Sequence, residues 1–203
     1  MMLLDRIQSY RVVLASQSPR RRELLRGLGL SFEVMQSGEA EETNVEWSPQ
    51  EVVCRLSMQK AQHVFNQLSK PSEPPLLVIG GDTIVVSEGR ILGKPHDREE
   101  AVAMLRQLSG KTHRVYSGLC VLTPWRQLCD YDVTEVTFET LKEEEIGYYI
   151  DRYQPFDKAG SYGVQEWIGY LGISGLNGSF YTVVGLPTHL LWKMLETALS
   201  PSH

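Results

Sequence analysis

Residues 76–87 have the sequence LLVIGGDTIVVS, in which two apolar runs flank two glycines, an aspartate and a threonine. Continuous apolar runs of this kind predict strands that are buried on both faces of a sheet. We expect the polar stretch from Gly80 to Thr83 to interrupt the strand. Asp82 would then be a general base or a metal ligand, or would join Thr83 in capping a β-turn between two strands.

The rest of the chain alternates strand and helix signals around this stretch. RVVLA at 11–15 predicts a buried strand, prolines at 19, 49 and 187 predict helix starts, and Asn177-Gly178 predicts a hairpin turn. Three helix starts also have paired capping residues: Ser48 with Glu51, Asp97 with Glu100, and Thr140 with Glu143. Crossover units mixed with hairpins predict an α/β fold with a mixed central sheet and flanking helices.

Length and composition restrict the class of protein. The 203 residues are 42% hydrophobic and 22% charged, which predicts a folded domain, or two closely joined lobes, rather than a disordered chain. A net charge of -5 argues against a protein that wraps a nucleic-acid duplex, which needs a basic face. The chain has no signal-peptide core, no apolar run long enough to cross a bilayer and no CxxC pair. These features indicate a cytoplasmic protein that binds neither nucleic acid nor membrane.

The segment Ser16-Gln17-Ser18-Pro19-Arg20-Arg21-Arg22 joins the strand at 11–15 to the next helix. Hydroxyls and unsatisfied backbone N–H groups meet at a helix N-terminus, where the helix dipole favours an anion. Arginines oppose that dipole, so their presence needs a reason, and they supply charge-assisted donors to phosphate. We favour phosphate binding by Ser16, Ser18 and Arg21 over a solvated helix start.

Three other positions have weaker signals. Lys94, in a Gly-Lys-Pro turn, would suit phosphate oxygens, although a solvated lysine is an equally good interpretation. Lys60 lies on the apolar face of a predicted helix, where lysine stems often extend towards water. The stretch DKAGSYGVQ at 157–165 ends in Gln165, whose paired donor and acceptor suit a flat polar ring, and the alternative is an ordinary tight loop.

These landmarks occur in a fixed order that resembles the Maf family of nucleoside triphosphate pyrophosphatases. The resemblance runs from about Val12 to Leu199 and depends on seven pieces: ASQSPRR at 15–21, GDTIV at 81–85, GKP at 93–95, LSGKTH at 108–113, DKAG at 157–160, YGVQ at 162–165 and VGLP at 184–187. It implies one Maf-like domain over residues 1–203, with an ITPase-like fold of two lobes around a cleft. It also implies hydrolysis of a nucleoside triphosphate with a divalent metal, Mg²⁺ or Mn²⁺, and a homodimer.

The resemblance also implies roles for individual residues. Asp82 takes the position of the proton acceptor, and with Glu41 it would hold the metal; Glu42 remains an alternative to Glu41. Phosphate binding falls to five residues: Ser16, Ser18, Arg21, Lys60 and Lys94. Base preference falls to Arg20, Thr83 and Gln165, a combination that resembles the branch acting on dTTP and UTP.

Two other functions remain open at this point. One is a nucleotide sensor that binds without turnover, against which the presence of both Glu41 and Asp82 argues. The other is a septum-related regulator that acts through a protein partner, as the family's name suggests. No GxxxxGK[ST] or GxSxG motif occurs, so neither a P-loop NTPase nor a nucleophile elbow is indicated.

Overall fold

The computed structural model describes residues 2–38, 47–68 and 74–200. Its strands are β1 Arg11–Ala15, β2 Glu33–Val34, β3 Leu76–Ser87, β4 Arg90–Leu92, β5 Thr112–Leu122, β6 Gln127–Phe138 and β7 Ile173–Asn177. Its α-helices are α1 Leu3–Ile7, α2 Pro19–Gly27, α3 Pro49–Leu68, α4 Arg98–Leu108, α5 Glu143–Tyr153, α6 Trp167–Gly172, α7 Phe180–Val184 and α8 Thr188–Ala198. Short 3-10 turns lie at Pro155–Asp157 and Ala159–Ser161.

The strands form a mixed sheet with the order β2-β1-β3-β5-β6-β7, and β4 pairs with β3. β1 runs parallel to β2 and β3, whereas the β3–β4 and β6–β7 pairs are antiparallel. A parallel pair requires a crossover, and α2 supplies it between β1 and β2. The predicted α/β fold with a mixed central sheet and flanking helices is therefore confirmed.

The predicted interruption at Gly80 to Thr83 is wrong, because β3 continues through these residues without a turn. The glycines serve a different purpose. A Cβ atom built on Gly80 would lie 2.2 Å from the carbonyl oxygen of Ser57 in α3. Only a residue without a side chain permits this approach of helix to strand.

The chain divides into two compact units. The first contains residues 1–82, 117–132 and 185–203, and the second contains 83–116 and 133–184. The strands β3, β5 and β6 each contribute residues to both units. The expectation of a single domain over residues 1–203 stays a prediction.

In the first unit, helices cover both faces of the sheet. Leu14 of β1 and Ile79 of β3 pack in one buried cluster with Leu25 of α2. The neighbouring strand residues, Val13 and Val78 among them, pack instead in a cluster to which α3 contributes. Because successive side chains of a strand point to opposite faces, α2 and α3 lie on opposite faces of β1 and β3.

The second unit has its own core, in which α4 and α5 pack with β5 and β6. His113 is 2% exposed there, and its Nε2 lies 2.8 Å from the hydroxyl of Tyr162. Burial lowers the pKa of His113 to about 4. The imidazole is therefore neutral at neutral pH.

Two local predictions are wrong and two are confirmed. Thr140 does not cap α5, which starts after Lys142, and the Glu145 carboxylate accepts from the Lys142 N–H at 2.8 Å. Asn177-Gly178 is not a hairpin turn, because helix α7 follows it. The Ser48–Glu51 and Asp97–Glu100 caps are present, with the backbone N–H of each glutamate donating to the Ser or Asp side chain.

No helix among the described residues is both long and apolar enough to cross a bilayer.

Candidate active site

The loop between β1 and α2 orients Arg21. The Ser18 hydroxyl accepts from the backbone N–H of Arg21 at 3.4 Å, as an N-cap should. The Arg21 guanidinium donates from Nη1 to the Ser16 hydroxyl at 3.0 Å and from Nε to the carbonyl oxygen of Gly185 at 2.8 Å. Two anchors thus fix one cation at a helix N-terminus, where backbone N–H groups already favour an anion.

The same loop lies beside the middle of β3. Ala15, the last residue of β1, pairs with Gly80, so the chain leaves the sheet next to Gly81 and Asp82. A Cβ atom on Gly81 would lie 3.3 Å from Arg21 Nε, which places the guanidinium against the strand. The carboxyl end of a parallel strand is where open α/β sheets bind ligands.

Two glycines allow α3 to pack closely against the face of the sheet opposite α2. A Cβ atom on Gly118 of β5 would lie 2.3 Å from the Val53 carbonyl oxygen, which matches the 2.2 Å approach at Gly80 to Ser57. The Ser57 hydroxyl donates to the same Val53 oxygen at 2.6 Å, so it is satisfied within the helix. The backbone of α3 therefore rests directly on β3 and β5.

This contact sets the position of Lys60 relative to Asp82. Lys60 lies about one helical turn after Ser57, and Asp82 follows Gly80 by two residues on the same face of β3. The Lys60 Nζ is 2.6 Å from Asp82 Oδ1, and the two side chains are 15% and 12% exposed. Such a partly buried, charge-assisted pair is shorter and stronger than a neutral hydrogen bond.

A divalent metal fits this donor set in one way. Hard cations such as Mg²⁺ bind through one or two carboxylates together with the phosphates of a substrate. Across residues 2–38, 47–68 and 74–200, no group of three or more His, Cys, Asp or Glu side chains could hold a metal. Of the residues predicted to hold the metal, the structure describes Asp82, while Glu41 and Glu42 lie outside the described residues.

The residues expected to set base preference are divided between the units. Arg20 is half-buried in α2 of the first unit, whereas Thr83 and Gln165 belong to the second. Thr83 is half-buried in β3, and Gln165 is exposed in the loop before α6. Lys94, also in the second unit, is exposed after β4.

Within the second unit, Gly160 joins the segment that follows α5 to residues near Thr83 and Lys94. Its N–H donates to the carbonyl oxygen of Gly93 at 3.0 Å, and its φ is 68°. A Cβ atom there would lie 3.0 Å from a methyl group of Val85. Only glycine combines this backbone conformation with so close a contact.

Sequence reasoning misses several residues that hold these groups in place. Gly118 is one of them, although an isolated glycine inside a strand often marks a close backbone approach. Gly185 is visible in the sequence only as part of the VGLP motif, and its carbonyl proves to anchor Arg21. Glu166, next to Gln165, is also overlooked; it pairs with Lys158 at 2.9 Å.

Comparison with known proteins agrees with the motifs. The family model described as Maf-like protein matches residues 11–198. A dTTP/UTP pyrophosphatase of Porphyromonas gingivalis is 47% identical over 195 residues, which cover 96% of this chain and 97% of that protein. Proteins with the same name from Bacteroides thetaiotaomicron and Thermotoga maritima are 44% and 45% identical, covering 96% and 91% of this chain and 99% and 88% of their own lengths.

Two solved structures share a more distant likeness. A nucleoside-triphosphatase, a dITP/XTP pyrophosphatase from Mycobacterium abscessus, aligns over 95% of this chain and all of its own with a TM-score of 0.43 and 15% identity. The Ham1 protein of Staphylococcus aureus aligns over 63% of this chain and 71% of its own, with a TM-score of 0.40 and 12% identity. Both scores are below 0.5, so the assignment depends on the sequence matches. On those matches, the chain belongs to the Maf-like protein family.

Proposed function

We propose that this protein hydrolyses dTTP and UTP to the nucleoside monophosphate and pyrophosphate. One observation supports the proposal most strongly. The Asp82 carboxylate pairs with Lys60 at 2.6 Å, and Asp82 directly follows Gly81, the residue of β3 that lies against the Arg21 guanidinium. A carboxylate for water activation and cations for phosphate are the groups that this reaction needs. Curated relatives at 42–47% identity are named for the same activity.

In this proposal, the triphosphate is bound by Ser16, Ser18, Arg21, Lys60 and Lys94. A triphosphate carries several negative charges, so it needs several cations in defined positions. The start of α2 adds backbone N–H groups to the two hydroxyls. The anchors on Arg21 hold its guanidinium before substrate arrives, which reduces the ordering needed on binding.

Asp82 orients a water molecule and accepts its proton as the oxygen attacks the α-phosphorus. The bond from that phosphorus to the bridging oxygen of the β-phosphate breaks, and pyrophosphate leaves. Lys60 keeps the Asp82 carboxylate in a fixed direction through their ion pair. General base catalysis of this kind contributes roughly 10²–10⁴-fold to a rate.

A divalent cation, Mg²⁺ or Mn²⁺, would be held by Asp82, by phosphate oxygens and by Glu41 or Glu42. When bound, it would neutralise charge on the triphosphate and on the pyrophosphate leaving group. The side chains supply the rest: Asp82 takes the proton, and Arg21 and Lys60 bind oxygens.

Arg20, Thr83 and Gln165 select the base. The Gln165 amide offers one donor and one acceptor, which match O4 and the N3–H of uracil or thymine. A purine needs more room than a pyrimidine, and the edge of adenine also presents the reverse polarity, so adenine fits such a site poorly. Cytosine is discriminated less, because the amide can turn to meet its edge.

The test is a panel of triphosphates at one Mg²⁺ concentration, with kcat/KM measured by pyrophosphate release for dTTP, UTP, CTP, dATP, dGTP and 7-methyl-GTP. We expect the highest kcat/KM for dTTP and UTP. The kcat/KM for purine triphosphates should be at least about tenfold lower, which is at the small end of the discrimination that a binding pocket achieves. A preference for dGTP or 7-methyl-GTP would contradict the base assignment. Tight binding without turnover would identify a sensor, and neither binding nor turnover would favour a regulator with a protein partner. The cytoplasmic location and the homodimer stay predictions.

A further inference from the structure

The loop that carries Gln165 is held by a network of buried polar groups. Glu166, the next residue, accepts a hydrogen bond from the hydroxyl of Tyr149 in α5 and pairs with Lys158 Nζ at 2.9 Å. The Tyr149 hydroxyl also accepts from the backbone N–H of Gly163 at 3.0 Å. The network therefore contacts the loop both before Gln165, at Gly163, and after it, at Glu166.

The Tyr149 hydroxyl is suited to its two contacts. The side chain is fully buried, and burial, reinforced by the hydrogen bond to Glu166, raises the pKa of Tyr149 well above its usual range. The phenol therefore stays protonated at neutral pH and donates to the carboxylate. Loss of this hydroxyl would leave a buried N–H at Gly163 without its acceptor, which is costly.

Lys158 is buried to an extent that requires compensation. Its side chain is 8% exposed, and Nζ contacts Asp157 Oδ1 at 2.7 Å as well as Glu166. Asp157 is 54% exposed and Glu166 is 26% exposed, so Glu166 is the more shielded of the two partners. Buried charges persist where they are paired, and breaking such a pair leaves one charge uncompensated.

Backbone contacts tighten the same loop. The Glu166 N–H donates to the Gly163 carbonyl at 3.0 Å, and the Gly169 N–H donates to the Glu166 carbonyl at 2.9 Å. A Cβ atom on Gly163 would lie 2.8 Å from Glu166 Cδ. The Glu166 carboxyl group thus lies directly against the loop backbone, and Gln165 remains exposed at the tip.

We propose that Tyr149, Lys158 and Glu166 are positioning residues that fix Gln165 for recognition of the base. This inference rests on the proposed function, because it assigns a purpose to a loop whose glutamine reads the pyrimidine edge. A hydrogen-bonding group discriminates between bases only when its donor and acceptor are held in place. Loosening the network should therefore reduce the choice of base, while phosphate binding by residues of the first unit continues.

The experiment compares Tyr149→Phe and Glu166→Gln with the control Tyr153→Phe. Tyr153 lies one turn later on α5 and stacks on Tyr149 with 5.2 Å between ring centroids, but it is exposed. We expect the ratio of kcat/KM for UTP over ATP to fall by roughly tenfold in the first two variants, chiefly through a higher KM for UTP. The ratio should be unchanged in Tyr153→Phe, and the Kd for pyrophosphate should be unchanged in all three.

The outcomes separate this inference from the proposed function. Thermal melting identifies folded variants, and Glu166→Gln, which keeps the side-chain shape, carries the test if Tyr149→Phe does not fold. A preference for UTP that survives in the folded variants would overturn the network's role and leave the function intact, as would equal losses for UTP and ATP. An unaltered protein without turnover, or without preference for UTP, would overturn the proposed function and this inference with it.

Discussion

The ion pair of Lys60 in the first unit differs in its surroundings from the ion pairs of Lys158 in the second. Lys60 contacts Asp82 at 2.6 Å, and both side chains are only 12–15% exposed. Lys158 is 8% exposed and contacts two carboxylates, one of which also holds a tyrosine hydroxyl. Lys60 and Asp82 lie near the loop between β1 and α2, which carries Ser16 and Ser18. Lys158 pairs with Glu166, which directly follows Gln165 and its neutral amide.

The balance of charge explains the difference. Near Asp82, Lys60 pairs with the carboxylate and Arg21 lies against the neighbouring Gly81, so two cations face one carboxylate, which favours a polyanion. Around Lys158, Asp157 and Glu166 outnumber the cation, so no further anion is attracted and the charges serve to hold the loop. The role of a buried lysine can therefore be inferred only when the charges of the neighbouring side chains are counted as well.

The strongest test of this comparison is to neutralise one carboxylate partner of each lysine. Asp82→Asn keeps the shape but removes basicity, and we expect kcat to fall by about 10²–10⁴-fold. Asp157→Asn should keep kcat within about threefold, because Lys158 retains Glu166 and exposed ion pairs contribute little. Steady-state pyrophosphate release measures both. Near-normal kcat in Asp82→Asn would remove Asp82 from the mechanism.

The second prediction concerns the glycine that brings Lys60 to Asp82. Gly80→Ala places a methyl group against the Ser57 carbonyl, so we expect the free energy of unfolding to fall by about 1–3 kcal/mol. Activity should fall as well, because α3 must move. Gly27→Ala is the matched control, since a Cβ atom there meets nothing within 4 Å. Chemical denaturation measures the difference, and equal stability of the two variants would contradict the close contact.

At neutral pH the smallest expected effect comes from His113, where burial alone lowers the pKa to about 4. The unfolded imidazole takes up a proton near pH 6.5, and the folded one does not until about pH 4. Stability is thus lost as pH falls through this window, by at most about 1.4 kcal/mol per pH unit. His113→Gln should flatten the dependence of unfolding free energy on pH between 6.5 and 4. Parallel curves for variant and unaltered protein would contradict the burial of a neutral imidazole.

Local chemistry explains why part of the structure could be predicted from sequence. The caps at Ser48 and Asp97 depend on residues three positions apart, so the sequence contains the whole signal. Gly80 shows the opposite case. A glycine pair suits a turn and a close approach equally well, and the choice depended on Ser57 of α3, more than twenty residues earlier in the sequence.

The candidate site divides in the same way. The Ser16–Arg21 cluster could be read from a strand, two hydroxyls and consecutive arginines. The anchor of Arg21 on Gly185 and the contact of Glu166 with Tyr149 could not, because 164 and 17 residues separate the partners. Two lobes were expected, but the bounds of the two units could not be read, since the chain passes from one to the other inside continuous strands such as β3.

The most direct test of the central claim is the identity of the products formed from UTP. The purified protein is incubated with UTP and Mg²⁺, and the phosphorus-containing products are resolved by ³¹P NMR. We predict UMP and pyrophosphate in equal amounts, because attack at the α-phosphorus releases the β- and γ-phosphates together. UDP with orthophosphate, or no turnover of UTP, would contradict the assignment of this site as a nucleoside triphosphate pyrophosphatase.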